Sequence, residues 1–325
     1  MLFDASIVPD TLVTAGNIDL FWLLAALAGG AFGAMIGANY AFAFTGVSIL
    51  IGLGIAGGTG SSLVLDYVAF GPAWGPHVAF AGGVAAATYA AKKGYMEVAK
   101  DINAPLVGLG KPDVLLVGAV WGAGGYIFQK LITLIPWFGT NTDAVALTVV
   151  TSGILVRVVY GKTPVLHALT PPSDEARWLK WQETPGQLFT VSAFASLFAA
   201  GIATILVGYV APNAPDPTVI TNNAQALPFA FSSICIFFVA AGMKWPVTHH
   251  ITITAGLAAA KFLPIVGNGF AAVLIGIVFG VIAGFACEYF ARFFFNHGDT
   301  HIDPPAGIIW FMNTAVVGIA GLLAA

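Results

Sequence analysis

Two histidines occupy matching places in two near-copies of one segment. His77-Val-Ala-Phe-Ala-Gly-Gly-Val-Ala-Ala-Ala-Thr-Tyr89 aligns without a gap on His250-Ile-Thr-Ile-Thr-Ala-Gly-Leu-Ala-Ala-Ala-Lys-Phe262, with Gly83 on Gly256 and triple Ala on triple Ala. An imidazole in apolar surroundings can bind a polar solute, relay a proton or ligate a metal. It can equally hydrogen-bond a neighbouring helix and do no more than pack. Each histidine opens the N-terminal turns of its segment, where free backbone N–H groups carry partial positive charge suited to a polar or anionic solute. His77 and His250 are therefore the first candidates for a solute or ion path, with Asp66 and Trp74 upstream of the first and Thr252 two residues beyond the second. His249 faces another side of its segment and is assigned to the cytoplasmic surface.

A second set is His297-Gly-Asp299-Thr-His301-Ile-Asp303-Pro-Pro305. Alternating His and Asp suits a divalent first-row metal, provided the loop curls enough for the four side chains to converge. Asp303 has a competing role as a helix N-cap, because proline follows it at the first helical position. Its counterpart in the first half is Asp143, read with Thr140 as a capping box. The third set is Glu288, the only glutamate inside an apolar segment, with Lys130 at the matching position of the earlier one. Glu288 suits proton coupling, or simply meets Arg292 one turn on. Lys130 is expected to snorkel outward.

The elements that position these residues follow from composition. The chain has 325 residues, 58% apolar and 8% charged, where a soluble domain carries roughly 25% charged. Such a deficit means that most side chains face lipid or a helix-packed interior, where an isolated charge costs several kcal/mol. A net charge of −3 leaves no basic surface for nucleic acid. Cys235 and Cys287 lie in apolar segments as buried free thiols. Residues 1–17 lack the basic start of a cleaved signal peptide.

Apolar segments long enough to cross a bilayer are read near 18–37, 40–58, 70–92, 113–137, 142–160, 186–210, 226–243, 246–264, 268–296 and 304–324. The third and eighth begin at Pro-rich turns and are either full spans or broken, re-entrant ones. Ten of the twelve Lys and Arg fall on one side of this arrangement, which puts the N-terminus outside. The fold class is an all-α polytopic membrane protein of ten spans in two inverted repeats of five. Residues 1–17 form an extracytoplasmic segment, 18–160 the first repeat, 161–185 a charged cytoplasmic linker and 186–325 the second repeat. Gly118-Ala-Val-Trp-Gly122 echoed by Gly276-Ile-Val-Phe-Gly280 supports the division. The third and eighth segments have the smallest residues, so they belong at the centre.

No Walker loop, dinucleotide glycine pattern or local nucleophile signature is present, so the chain is not expected to be an enzyme. The expected function is transport of a small solute or ion by a secondary transporter, with its site between the third and eighth segments and protonation as the coupling event. A passive, homo-oligomeric channel is the alternative, and a metal-dependent membrane protein using the His297–Asp303 set comes third. The partners are the lipid bilayer and the solute, in what reads as a prokaryotic cytoplasmic membrane.

Overall fold

The computed structural model describes residues 14–15, 18–167 and 177–324. The start of the chain and the linker's Pro171, Pro172, Asp174 and Glu175 lie outside the described residues. A two-residue pairing of β1 (Thr14–Ala15) with β2 (Ile18–Asp19) leads into α1 (Leu20–Ile36) and α2 (Ala38–Thr59). A π-helical turn at Leu65–Ala69 and a run of tight turns precede α3 (Ala79–Lys92). Then come α4 (Pro112–Thr133), the short α5 (Phe138–Asn141) and α6 (Ala144–Tyr160). The second half holds α7 (Pro185–Ile205), α8 (Pro217–Asn222), α9 (Ala226–Ile234), α10 (Ile236–Ala240), α11 (His249–Val266), α12 (Gly269–Phe294) and α13 (Pro304–Ala324).

Every apolar segment contains a helix. Six helices among the described residues are long and apolar enough to cross a membrane: α2, α4, α7 with its continuation to Asn213, α11, α12 and α13. These helices and the composition fit an integral membrane protein. The exposed faces agree: Leu24, Leu116, Val120, Phe194, Phe270 and Val278 point outward, an arrangement that water disfavours and lipid does not. α3, with 14 residues, rises only about 21 Å, so the third segment is part turn and part helix. α11 is continuous over 18 residues, and the break in the second half falls instead between α9 and α10. Both cysteines are free; Cys287 is buried and Cys235 only partly so.

Two helix triplets organise the packing, α1 with α3 and α4, and α7 with α11 and α12. Small residues allow the close approach that a bilayer interior otherwise does not drive. A methyl on Gly30 of α1 would collide with the Gly118 carbonyl of α4, and one on Gly280 of α12 with Ser196 of α7. α11 lies deepest, with 72% of its spanning window buried against 28–50% for the other five long helices. α3 is buried along nearly its whole length. The expectation that these two small-residue helices are central therefore holds. Between the triplets, α2 packs on α9 and α6 on α13.

Candidate functional site

A cavity of about 410 Å³ opens among α3, α6, α11 and α13. Its wall is regular. α11 contributes His249, Ile253 and Leu257, and α13 contributes Ala306, Ile309, Asn313 and Val317; spacings of three and four keep each set on one helical face. Phe42, Phe70, Phe80 and Phe229 supply an aromatic side.

Positions recur between the halves. Pro76 and His249 each stand one residue before a motif histidine, Phe80 and Ile253 three residues after it, and all four line the cavity. Asp143 and Asp303 each cap a helix, and the residues three and six further on, Ala146 and Val149 or Ala306 and Ile309, line it too.

The two aspartates are held by the helices they begin. Asp143 accepts from Ala146 N at 2.9 Å and from Asn313 Nδ2 at 2.9 Å. Thr254 Oγ1 donates to Asn313 Oδ1 at 3.3 Å, which ties α11 into the same network. Asp303 accepts from Ala306 N at 2.8 Å and pairs with His301 Nε2 at 3.1 Å. The cap roles expected for both residues are present. The capping box is not: Thr140 turns back to the Trp137 carbonyl, and Asp143 is itself the cap.

His249 is a correction. It is 5% exposed, lines the cavity, and has an Nδ1 without a hydrogen-bond partner. Its ring lies 4.7 Å from Phe42 and 6.2 Å from Phe229. The assignment to the cytoplasmic surface fails because the turn before α11 is buried under the linker. There Gln182 brackets the backbone of Val247, donating to its carbonyl and accepting from its N–H at 2.8 Å each. Gln225, also on the wall, has an unpartnered Oε1.

The mirrored histidines sit behind the wall. His77 and His250 are each 1% exposed with Nδ1 unpartnered, and neither lines the cavity. His77 lies in the turn before α3, its carbonyl against Gly125 of α4. The His250 ring is 5.8 Å from that of His249 and 6.4 Å from that of Trp178. Thr252 donates to Ser232 Oγ at 3.0 Å and so bridges α11 to α9. Trp74 stacks edgewise on Phe32, and its carbonyl accepts from Thr45 Oγ1 at 2.7 Å. Asp66 accepts from Ser62 Oγ at 2.6 Å in an exposed turn. None of these three residues reaches the cavity.

The His297–Asp303 loop does not curl into a metal site. Among the described residues no group of three or more His, Cys, Asp or Glu side chains is placed to hold an ion. The physical reason is that His301 and Asp303 pair with each other while His297 and Asp299 are held by residues 162–167. His297 Nε2 lies 2.9 Å from the Pro164 carbonyl, and its ring stacks on His167. Asp299 accepts from Lys162 N at 2.7 Å and Thr163 Oγ1 at 2.6 Å. Burial would raise the Asp299 pKa, but these hydrogen bonds outweigh it and hold the carboxyl below its usual range. Arg157, 1% exposed, stretches the loop by donating to Thr300 Oγ1 at 2.9 Å, to the Thr300 carbonyl at 2.7 Å and to the Phe294 carbonyl. Lys100 donates to the Phe295 carbonyl at 2.7 Å; burial, with Arg157 nearby, brings its pKa down to about 8.

Glu288 accepts from Arg292 at 2.8 and 3.0 Å, one turn on. Lys130 leans over the Tyr126 ring, 5.7 Å from its centre. Glu183, which reads as an ordinary linker residue, is 3% exposed and hydrogen-bonded to Glu288. Burial and the adjacent Glu288 push its carboxyl up to about 9, against the opposing pull of Arg177 and Arg292. Glu183 therefore keeps its proton at neutral pH.

No curated protein and no solved structure matches the chain. A family model described as a family of unknown function (DUF7973) matches residues 12–170 and 178–325, dividing inside the charged linker. The chain belongs to that family.

Proposed function

We propose that this protein moves a small solute or ion across a membrane, with the cavity among α3, α6, α11 and α13 as its site. One observation carries the reading: a space among helices, walled by equivalent positions of two halves, with two aspartates and His249, whose Nδ1 has no partner, among its lining residues. Small-molecule sites have this build, a mostly apolar pocket with a few convergent polar groups.

The membrane arrangement belongs to the same proposal. The chain crosses ten times with its N-terminus outside, in inverted halves 18–160 and 186–325. Equivalent helices running antiparallel across the centre support this. α6 meets α13 with Asp143 beside Asn313 and Gly153 beside Ile302. α2 meets α9 and α10 with Tyr40 near Phe237 and Gly46 near Ala230. Transporters built from inverted repeats place substrate at such a repeat interface. The coupling role expected of His77 and His250 passes to His249 and the cap aspartates, the residues that touch the cavity.

Flux into proteoliposomes tests the reading. Saturable uptake that responds to a pH gradient and is lost in His249→Ala is the expected result for a secondary transporter. Non-saturating uptake indifferent to pH would make it a channel. No flux of cationic, anionic or neutral solutes above protein-free vesicles would sink the proposal.

A further inference from the structure

The transport reading leaves the solute open, and resting on that reading we infer that the cavity takes a small organic cation, a protonated amine with an apolar body. Three observations on the wall point the same way. The first is charge. Asp143 and Asp303 line the cavity, and no Lys or Arg among the described residues does. The N-termini of α6 and α13 supply about half a positive charge each, and an aspartate already caps each of them, so neither helix end is free for an anion. Lys130 is next to the lining residue Gln129, yet it leans over Tyr126.

The second is hydrogen bonding. His249 Nδ1 and Gln225 Oε1 are buried without partners. An ammonium group brings N–H donors and no acceptor, so it matches the chemistry of an amide oxygen and of a ring nitrogen in its acceptor form on these two lining residues. A carboxylate solute would bring acceptors to a wall that already holds two carboxylates.

The third is shape and lining. A volume of about 410 Å³ falls within the range of small-molecule sites and far exceeds a bare inorganic ion. Phe42, Phe70, Phe80 and Phe229 present rings to this space. Aromatic faces attract a desolvated organic cation, and Ile253, Leu257 and Ile309 accommodate its alkyl part. An inorganic ion would lose hydration against these apolar side chains.

Calorimetric titration of the purified full-length protein at pH 7 tests this, with n-butylammonium as the probe and 1-butanol, butyrate, sodium and magnesium as comparisons. Saturable binding of n-butylammonium is expected, with 1-butanol and butyrate at least tenfold weaker. Asp143→Asn and Asp303→Asn should each weaken n-butylammonium at least tenfold. Asparagine caps a helix as well as aspartate does, so these variants keep the fold while losing the charge, and size-exclusion profiles would confirm that. Tighter binding of butyrate or 1-butanol, binding of inorganic cations alone, binding of no probe, or unchanged affinity in both variants overturns the assignment. The transport reading fails separately. If butyrate or 1-butanol enters proteoliposomes in a His249-dependent way, the solute class is wrong and the site stands. If no probe outpaces protein-free vesicles, the reading itself falls.

Discussion

The turn before α3 and the first turn of α11 carry the two copies of one motif, and they differ most where it matters. The shared residues, His77 and His250, are both buried behind the cavity wall. The unlike residues one position earlier, Pro76 and His249, both face the cavity. Identity between the copies thus marks what packing needs twice. The difference marks where one half brings an imidazole and the other a rigid turn. The same holds at the capped ends of α6 and α13. Both aspartates do the same structural job, but Asp143 is tied to Asn313 and Asp303 to His301.

The largest effect that would break this comparison concerns the interlocks. Gly30→Leu and Gly280→Leu each force a side chain into backbone or Ser196. Overpacking of this kind costs about 3 kcal/mol or more, so both variants should lose monodisperse protein on size exclusion. Full tolerance of either would mean that the two triplets are not equivalent. Next comes Arg157→Ala, which frees the loop that α6 holds against the start of α13. Losing several charge-assisted hydrogen bonds should cost roughly 3 kcal/mol, seen as a lower melting temperature.

The histidines sharpen the comparison at a smaller scale. His249→Ala should cut solute flux at least tenfold with little loss of stability. His77→Ala should leave flux intact and cost roughly 1–2 kcal/mol as a packing defect. The reverse pattern in flux and melting measurements would return the site to the repeated residues.

Glu183 gives a pH effect with a definite sign. Its folded pKa lies near 9, above the usual value of 4.5. The stabilisation is therefore full below pH about 4.5 and declines as pH rises through about 9, where the folded state must release a proton it prefers to keep. Melting temperature should fall between pH 6 and pH 9, and Glu183→Gln, which mimics the protonated form, should flatten that fall. An unchanged slope in the variant would assign the pH effect to another group. The smallest expected change is at Asp66, exposed and bonded locally to Ser62; Asp66→Asn should shift stability by less than about 0.5 kcal/mol.

Much of the fold was legible because its signals are local. Every segment of sufficient apolar length holds a helix, with only the short α5 and α8 among the α-helices falling between them, and Ala and Gly content located the two buried helices. The caps at Asp143 and Asp303 followed from a residue type before a helix start. The site was less legible, since burial of a helix end depends on what covers it. Nothing around His249 announces that Gln182, 65 positions from Val247 in the chain, brackets that residue and roofs the turn. The metal reading failed for a related reason. A His/Asp alternation specifies donors but not the path of the loop, and Arg157 draws that loop across instead of letting it curl.

Cysteine accessibility across the two halves tests the central claim most directly. In a background with Cys235 and Cys287 replaced by alanine, Ala146→Cys and Ala306→Cys would be treated with a charged thiol reagent, with Val278→Cys on the exposed face of α12 as control. Loss of flux on modification at both 146 and 306, and none at 278, is the predicted result. Flux that survives full modification at 146 and 306 would contradict a shared cavity as the route.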